Sequence, residues 1–214
     1  MSRDWLLIET LGGEPVVVAD GPQTHKLVPI SAFLRRSPHL SAIQTAVAET
    51  VNTASSLASI TPKGNRVIRT EPVRMTDGTV HGVHVWVGPA TAEPPQRPLP
   101  GPLVWNLTTG IATDTPESMR NSGLDPNSGL AANRAFTDDL AARNMSDRES
   151  QVLARAAEAE PGTTYCATWQ LDDWRGEPIS VGFVTRVVLE PVGGGREHVI
   201  ARAMNWRSEG ESRR

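Results

Sequence analysis

The chain states one design twice, on either side of a proline-rich hinge. Residues 1–88 run strand, strand, helical stretch and three strands, and residues 103–206 pass through the same order. Between them lies Pro89-Ala-Thr-Ala-Glu-Pro-Pro-Gln-Arg-Pro-Leu-Pro-Gly-Pro102, in which six of fourteen residues are proline. Each proline fixes φ and lacks an N–H, so the 89–102 stretch can neither propagate a helix nor donate to a sheet. Extended polyproline geometry is expected there. The 214 residues thus divide into two domains of about 100 residues each, a size that folds without staples, followed by a charged tail over 207–214.

In the first half, Asp4-Trp-Leu-Leu-Ile-Glu-Thr-Leu11 and Pro15-Val-Val-Val-Ala19 read as an antiparallel hairpin turned by Gly12-Gly13. Pro29–Arg36 is long enough for about two helical turns. Ser37-Pro38 then reads as an N-cap followed by proline at the first helical position. Leu40, Ile43, Val47 and Val51, flanked by Ala46 and Ala54, recur at spacings of three and four and predict one buried helical stripe. Three strands follow, over Leu57–Thr61, Arg66–Met75 and Thr79–Val87. Pro72 marks an edge or a bulge in the second of them. In the third, Val83, Val85 and Val87 share one face, and Gly82, His84 and Trp86 the other.

The second half repeats the pattern. Leu103–Leu107 and Ile111–Asp114 form a hairpin, Thr115-Pro-Glu-Ser118 opens a short helix, and Asn121–Asn133 is loop-like. A short helix is expected over Ala135–Asn144. The capping box Ser146-Asp-Arg-Glu149 starts another, which buries Val152, Leu153, Ala156 and Ala157. Thr163–Leu171, Pro178–Leu189 and His198–Trp206 complete a three-stranded meander. The fold class expected is α+β: two domains, each an antiparallel five-stranded sheet with helices on one face.

Composition excludes several classes. A net charge of −3, with Arg35-Arg36 and Arg213-Arg214 too scattered to track phosphates, argues against a nucleic-acid partner; these arginines read as solvated surface charge. The single cysteine, Cys166, allows no intrachain disulfide and suits a reducing compartment. No apolar run reaches the roughly 18 residues that span a bilayer. Glu9 and Thr10 interrupt the N-terminal segment too early for a signal peptide, so a cytoplasmic location without membrane partners is expected.

No catalytic or metal constellation assembles on the sequence. His81 and His84 point to opposite faces of their strand and cannot share an ion. His39 falls in the first turn of the main helix and reads as solvated rather than as a haem ligand. No serine stands in a Gly-x-Ser-x-Gly elbow, and Asp172-Asp173 reads as a turn former. Cys166 reads as an inert, mostly buried thiol, and Gly193-Gly-Gly195 lacks the helix a phosphate cradle needs. No cofactor is expected, and no ligand-binding residue can be named. The telling excess is six tryptophans against three phenylalanines and one tyrosine. His84, Trp86 and Trp206 are accordingly candidate interface residues. They are covered either by their own core or against the other sheet or a second copy.

A hairpin, a helical crossover and a three-stranded meander is the order of PAS domains, with GAF domains a close variant. The segments Asp4-Trp-Leu-Leu-Ile-Glu-Thr-Leu, Phe33-Leu-Arg-Arg-Ser-Pro, Ile68-Arg-Thr-Glu-Pro-Val, Val83-His-Val-Trp, Ala112-Thr-Asp-Thr-Pro-Glu-Ser and Ala201-Arg-Ala-Met-Asn-Trp go further. Across nearly the whole chain they resemble an actinobacterial, mainly mycobacterial, family of PAS–GAF–PAS tandems of uncharacterised function. Longer members continue past the position of Arg214, so the chain reads as a truncated form or a short relative. The resemblance implies a non-enzymatic sensory or regulatory module that binds a small ligand, a protein partner or second copy, or both. Two alternatives stand beside it: a protein–protein adaptor without a pocket and, more remotely, a hydrolase using scattered Asp, His or Ser residues.

Overall fold

The computed structural model describes residues 4–61, 64–125, 127–129, 132–135, 137–138 and 159–209. The chain divides into two units, Met1–Pro98 and Leu99–Arg214. The first holds β1 (Leu6–Glu9), β2 (Val16–Asp20), β3 (Gln23–Pro29), α1 (Ile30–Phe33), α2 (Leu40–Thr53), β4 (Leu57–Ile60), β5 (Arg66–Arg74) and β6 (Val80–Pro89). The second holds β7 (Gly101–Asn106), β8 (Ile111–Asp114), α3 (Pro116–Asn121), β9 (Asn133–Ala135), β10 (Thr164–Asp172), β11 (Pro178–Gly193) and β12 (Arg196–Arg207).

The two sheets run β3-β2-β1-β6-β5-β4 and β9-β8-β7-β12-β11-β10. With strands numbered by their place within each unit, both read third, second, first, sixth, fifth, fourth. Every pairing is antiparallel. The duplicated design is thus a duplicated topology, in which the first and last strands of each unit meet at the centre. Among the described residues no helix is long and apolar enough to cross a membrane.

Each sheet has six strands rather than the five expected. The additional members are β3 and β9, which sit at sheet edges. Gln23-Thr-His-Lys-Leu-Val-Pro29 mixes polar and apolar residues and alternates neither in burial nor in polarity, as an edge strand paired only to β2 permits. The two-turn helix expected over Pro29–Arg36 shortens to α1. Nor does Ser37 cap α2: His39 is the N-cap and no side chain caps the helix. Ser37 Oγ instead accepts from the His39 amide at 3.2 Å, which holds the connection rather than the helix end. The hinge is also shorter than its composition suggests, because β6 runs through Pro89 and β7 starts at Gly101. Ala135 closes β9 instead of opening a helix, and the capping box at 146–149 and its apolar stripe at 152–157 lie outside the described residues.

In the first unit, α2 buries Ile43, Ala46 and Val47 against Val83, Val85 and Val87, with Leu40, Val51 and Ala54 packed beside them. The helical stripe and the strand alternation therefore meet as the sequence implies. Thr50 and Thr70, both fully buried, satisfy each other across this interface at 2.5 Å, pinning α2 to β5. Pro72 sits where β4 has already ended: β4 pairs only with Val67–Thr70, so past that point β5 is an edge strand. A register shift follows at Val73/Arg74.

In the second unit the core is aromatic. Phe183 stacks on Trp169 at 4.4 Å and on Trp105 at 5.5 Å between ring centroids. A buried polar cluster fixes α3. Thr115 caps it by accepting from Ser118 N, Ser118 Oγ donates to Asp114 at 2.5 Å, and Arg134 pairs with Asp114 at 2.9 Å. From β12, the Asn205 amide donates to Ser118 O and Ser122 Oγ, while Asn121 donates to Leu99 O. On the same strand Arg202 forks onto Glu190.

Thr50→Val alone leaves the Thr70 hydroxyl buried without its partner and should lower stability by about 1–3 kcal/mol in urea denaturation. The Thr50→Val/Thr70→Val double variant should cost clearly less than the two single changes added together. Additive losses would show that the hydroxyl pair is not what joins helix to sheet.

Candidate functional site

The α1–α2 connection does not close down on the sheet. Leu34 N reaches back to Ile30 O and Ser37 N to Leu34 O, winding the chain into consecutive turns, and Pro38 offers no amide to extend either helix. Beneath these turns lies a cavity of about 360 Å³. Its floor is Leu6 of β1 with Val85 and Val87 of β6, and its wall is Phe33 and Leu34. His25 meets Phe33 edge-on at 5.0 Å and sets the orientation of that ring. The volume falls at the lower end of small-molecule sites, about 300–1,000 Å³.

The rim has a different character. Arg36, Ser37, Pro38 and His39 line it from the connection, Arg66 from β5 and Asp4 from the segment before β1. Two guanidiniums stand against one carboxylate among the described residues. Among the described residues neither Arg36 nor Arg66 is within ion-pair distance of an acid. α2 begins at this rim with no acidic residue in its first turn, so the positive end of its dipole adds to the same sign. The arrangement sets an apolar floor beneath a cationic mouth.

The reverse face of β1 and β6 carries the residues singled out from sequence. His84 and Trp86 are 2% and 4% exposed, and Trp206 of the second unit is 2% exposed. All three are thus buried within the chain. The Trp86 indole lies over Gly88 on its own strand and the Trp206 indole over its cross-strand partner Gly182; a Cβ at either glycine would enter the ring. His84 stands 5.9 Å from Trp5 between ring centroids, and its Nδ1 has no hydrogen-bond partner among the described residues. Burial first, and the nearby Arg97 charge second, push the His84 pKa down to about 3. The Trp5 indole N–H donates to Pro95 O at 2.9 Å, which lays the first part of the hinge along this face.

The remaining candidates fall as follows. His81 and His84 alternate across β6, and among the described residues no group of three His, Cys, Asp or Glu side chains could hold a metal ion. Asp173 is a turn former: its carboxylate accepts from the amides of Glu177 and Arg175, and the Glu177 bond first, the Arg175 bond after it, hold its pKa below the usual value. Cys166 on β10 is half-buried, and Gly193–Gly195 turns β11 into β12. Arg36 is exposed, in keeping with its reading as surface charge, and His39 is half-buried; both also line the cavity mouth. Sequence reasoning named no lining residue as a site. The signal available was Arg35-Arg36-Ser-Pro38, a charged break between two apolar helical stretches.

Two family models account for the chain. The N-terminal domain model of the Rv3651-like family matches residues 4–96, and the middle domain model matches residues 99–208. The chain belongs to the Rv3651-like family. A crystal structure of an uncharacterised protein from Mycobacterium tuberculosis superposes with a TM-score of 0.92 at 60% identity, covering 99% of this chain and 65% of that one. The chain therefore spans a little under two thirds of that relative's length, and the family is a mycobacterial one. Weaker likenesses are to a sensory box histidine kinase/response regulator from Burkholderia thailandensis and to the Escherichia coli DhaR(N)–DhaL complex. The first has a TM-score of 0.35 at 16% identity over 50% of this chain and 76% of that one. The second has a TM-score of 0.31 at 11% identity over 96% of this chain and 79% of the other. No curated protein matches the chain.

The titration of His84 has a defined sign. The folded chain keeps it neutral down to about pH 3, whereas the unfolded chain protonates it near 6.5, so between those values the unfolded state binds more protons. Stability should fall as pH drops through that window, by up to about 1.4 kcal/mol per pH unit from this group. Urea denaturation of the wild type and His84→Gln between pH 6.5 and 4 checks it. The variant should have the shallower slope, and equal slopes would contradict a buried neutral imidazole.

Proposed function

We propose that the protein is a non-enzymatic sensory module of the PAS/GAF type, acting in the cytoplasm, whose N-terminal unit binds a small ligand. The observation that carries this reading is the cavity between sheet and helices, with an apolar floor on the two central strands. The repeated order of hairpin, helical crossover and meander supports it.

The geometry also supplies a route for a signal. Leu6, Val85 and Val87 face the cavity, while His84 and Trp86 on the other face of β6, with Trp5 just before β1, lie on the side of the hinge segment held by the Trp5–Pro95 hydrogen bond. A ligand that favours one position of the α1–α2 connection shifts β1 and β6, and with them the docking of residues 90–98. Signalling then amounts to a change in how firmly the hinge is held.

An adaptor role is the second reading, and one feature favours it. Pairing with β10 ends at Arg186 and pairing with β7 at Ile200, opposite Val188, so from Leu189 onward β11 and β12 run as a two-stranded ribbon that carries Leu189 and Val192 at 49% and 44% exposure. Such a ribbon offers apolar side chains to a protein partner.

Native mass spectrometry of the protein purified from a mycobacterial host separates the two. The sensory reading expects a retained small-molecule mass that disappears in Val87→Phe, whose larger ring fills the cavity floor. A bare polypeptide mass in both, with the far-UV circular dichroism of the variant unchanged, would favour the adaptor.

A further inference from the structure

The cavity is unevenly built, and if it is a ligand site, as proposed above, the unevenness specifies the class of ligand. Its floor, Leu6, Val85 and Val87, presents only hydrocarbon and is 4%, 1% and 6% exposed. A ligand group seated there makes dispersion contacts and finds no hydrogen-bonding partner on these side chains, so that group must itself be apolar. At the rim, Arg36 is exposed and Arg66 half-buried, and neither is matched by an acid among the described residues. Among the described residues Asp4 is the one carboxylate of the lining, and it stands against Gly21, whose added Cβ would lie 3.0–3.2 Å from the Asp4 side chain. The positive end of α2 adjoins the same rim, entered through Ser37, Pro38 and His39.

We propose that the cavity takes an amphipathic anion, its chain or ring on the apolar floor and its carboxylate or phosphate head held at the rim by Arg36 and Arg66. An arginine fork gives such a head paired, charge-assisted hydrogen bonds, and a neutral or cationic head forfeits them. The half-buried position of Arg66 strengthens its share, because the local dielectric there is below that of water. Arg36 sits in the connection between α1 and α2, so an anion engaging it ties that part of the wall to β5. Head-group charge thereby becomes the quantity the module reads.

Calorimetry on the full chain tests this with four probes of equal chain length: decanoate, decyl phosphate, decanol and decyltrimethylammonium, each below its micelle concentration. At least one anion should bind about tenfold or more tightly than decanol, and the cation should bind weakest. The stronger of decanoate and decyl phosphate identifies the head. Arg36→Gln/Arg66→Gln should bring the anion down to the affinity of decanol without changing decanol itself. Arg36→Gln alone, at an exposed position that folding does not depend on, should give part of that loss. Decanol binding as tightly as both anions, or a folded double variant with full anion affinity, would overturn the inference while leaving the cavity a ligand site. Binding by none of the four would overturn it together with the sensory reading.

Discussion

The first unit depends on the pairing of β1 with β6. These strands come from opposite ends of their unit, and their register, Leu6 with Val85 through Glu9 with Gly82, joins the hairpin to the meander. Without it each half of the sheet would be a small open assembly with one face exposed to water. Every residue of β6 from Val80 to Gly88 is buried. From Gly82 onward its odd positions, Val83, Val85 and Val87, meet the helices and the cavity, and its even positions lie on the face that meets Trp5. Over Gly82–Gly88 the strand therefore has two environments to satisfy, and it does so with valines on one side and a histidine, a tryptophan and two glycines on the other.

That arrangement explains why the histidine is neutral and the tryptophans are closed in. A strand buried on both faces has no solvent to hydrate an imidazolium, so His84 stays uncharged. Trp86 fits only because Gly88 leaves room beneath its ring, and Trp206 only because Gly182 does. The aromatic excess of the sequence thus goes mainly into interior faces. Trp174, 46% exposed with the Arg175 guanidinium 4.5 Å from its ring centroid, is the exception at the surface.

Much of the fold was legible because its signals are periodic. The stripe Leu40, Ile43, Val47 and Val51 becomes the packed face of α2, and the alternation of Val83, Val85 and Val87 becomes the core face of β6. Pro72 marks the point where β4 stops pairing. What was missed has physical reasons. β3 is an edge strand with one partner, so nothing forces its side chains into alternation. The buried cluster of Asp114, Ser118 and Asn205 joins residues as many as 87 positions apart, which no local pattern reveals. The cavity was illegible for a deeper reason. Periodicity reports side chains that fill space, whereas a cavity is space left over where the short α1 fails to join α2.

Valine methyl NMR of the full chain, titrated with a small-molecule extract of a mycobacterial host, addresses the cavity most directly. The account predicts that Val85 and Val87 shift with added extract while Val181 and Val184, in the core of the second unit, stay in place. Resonances of Val85 and Val87 that remain fixed at every concentration would contradict it.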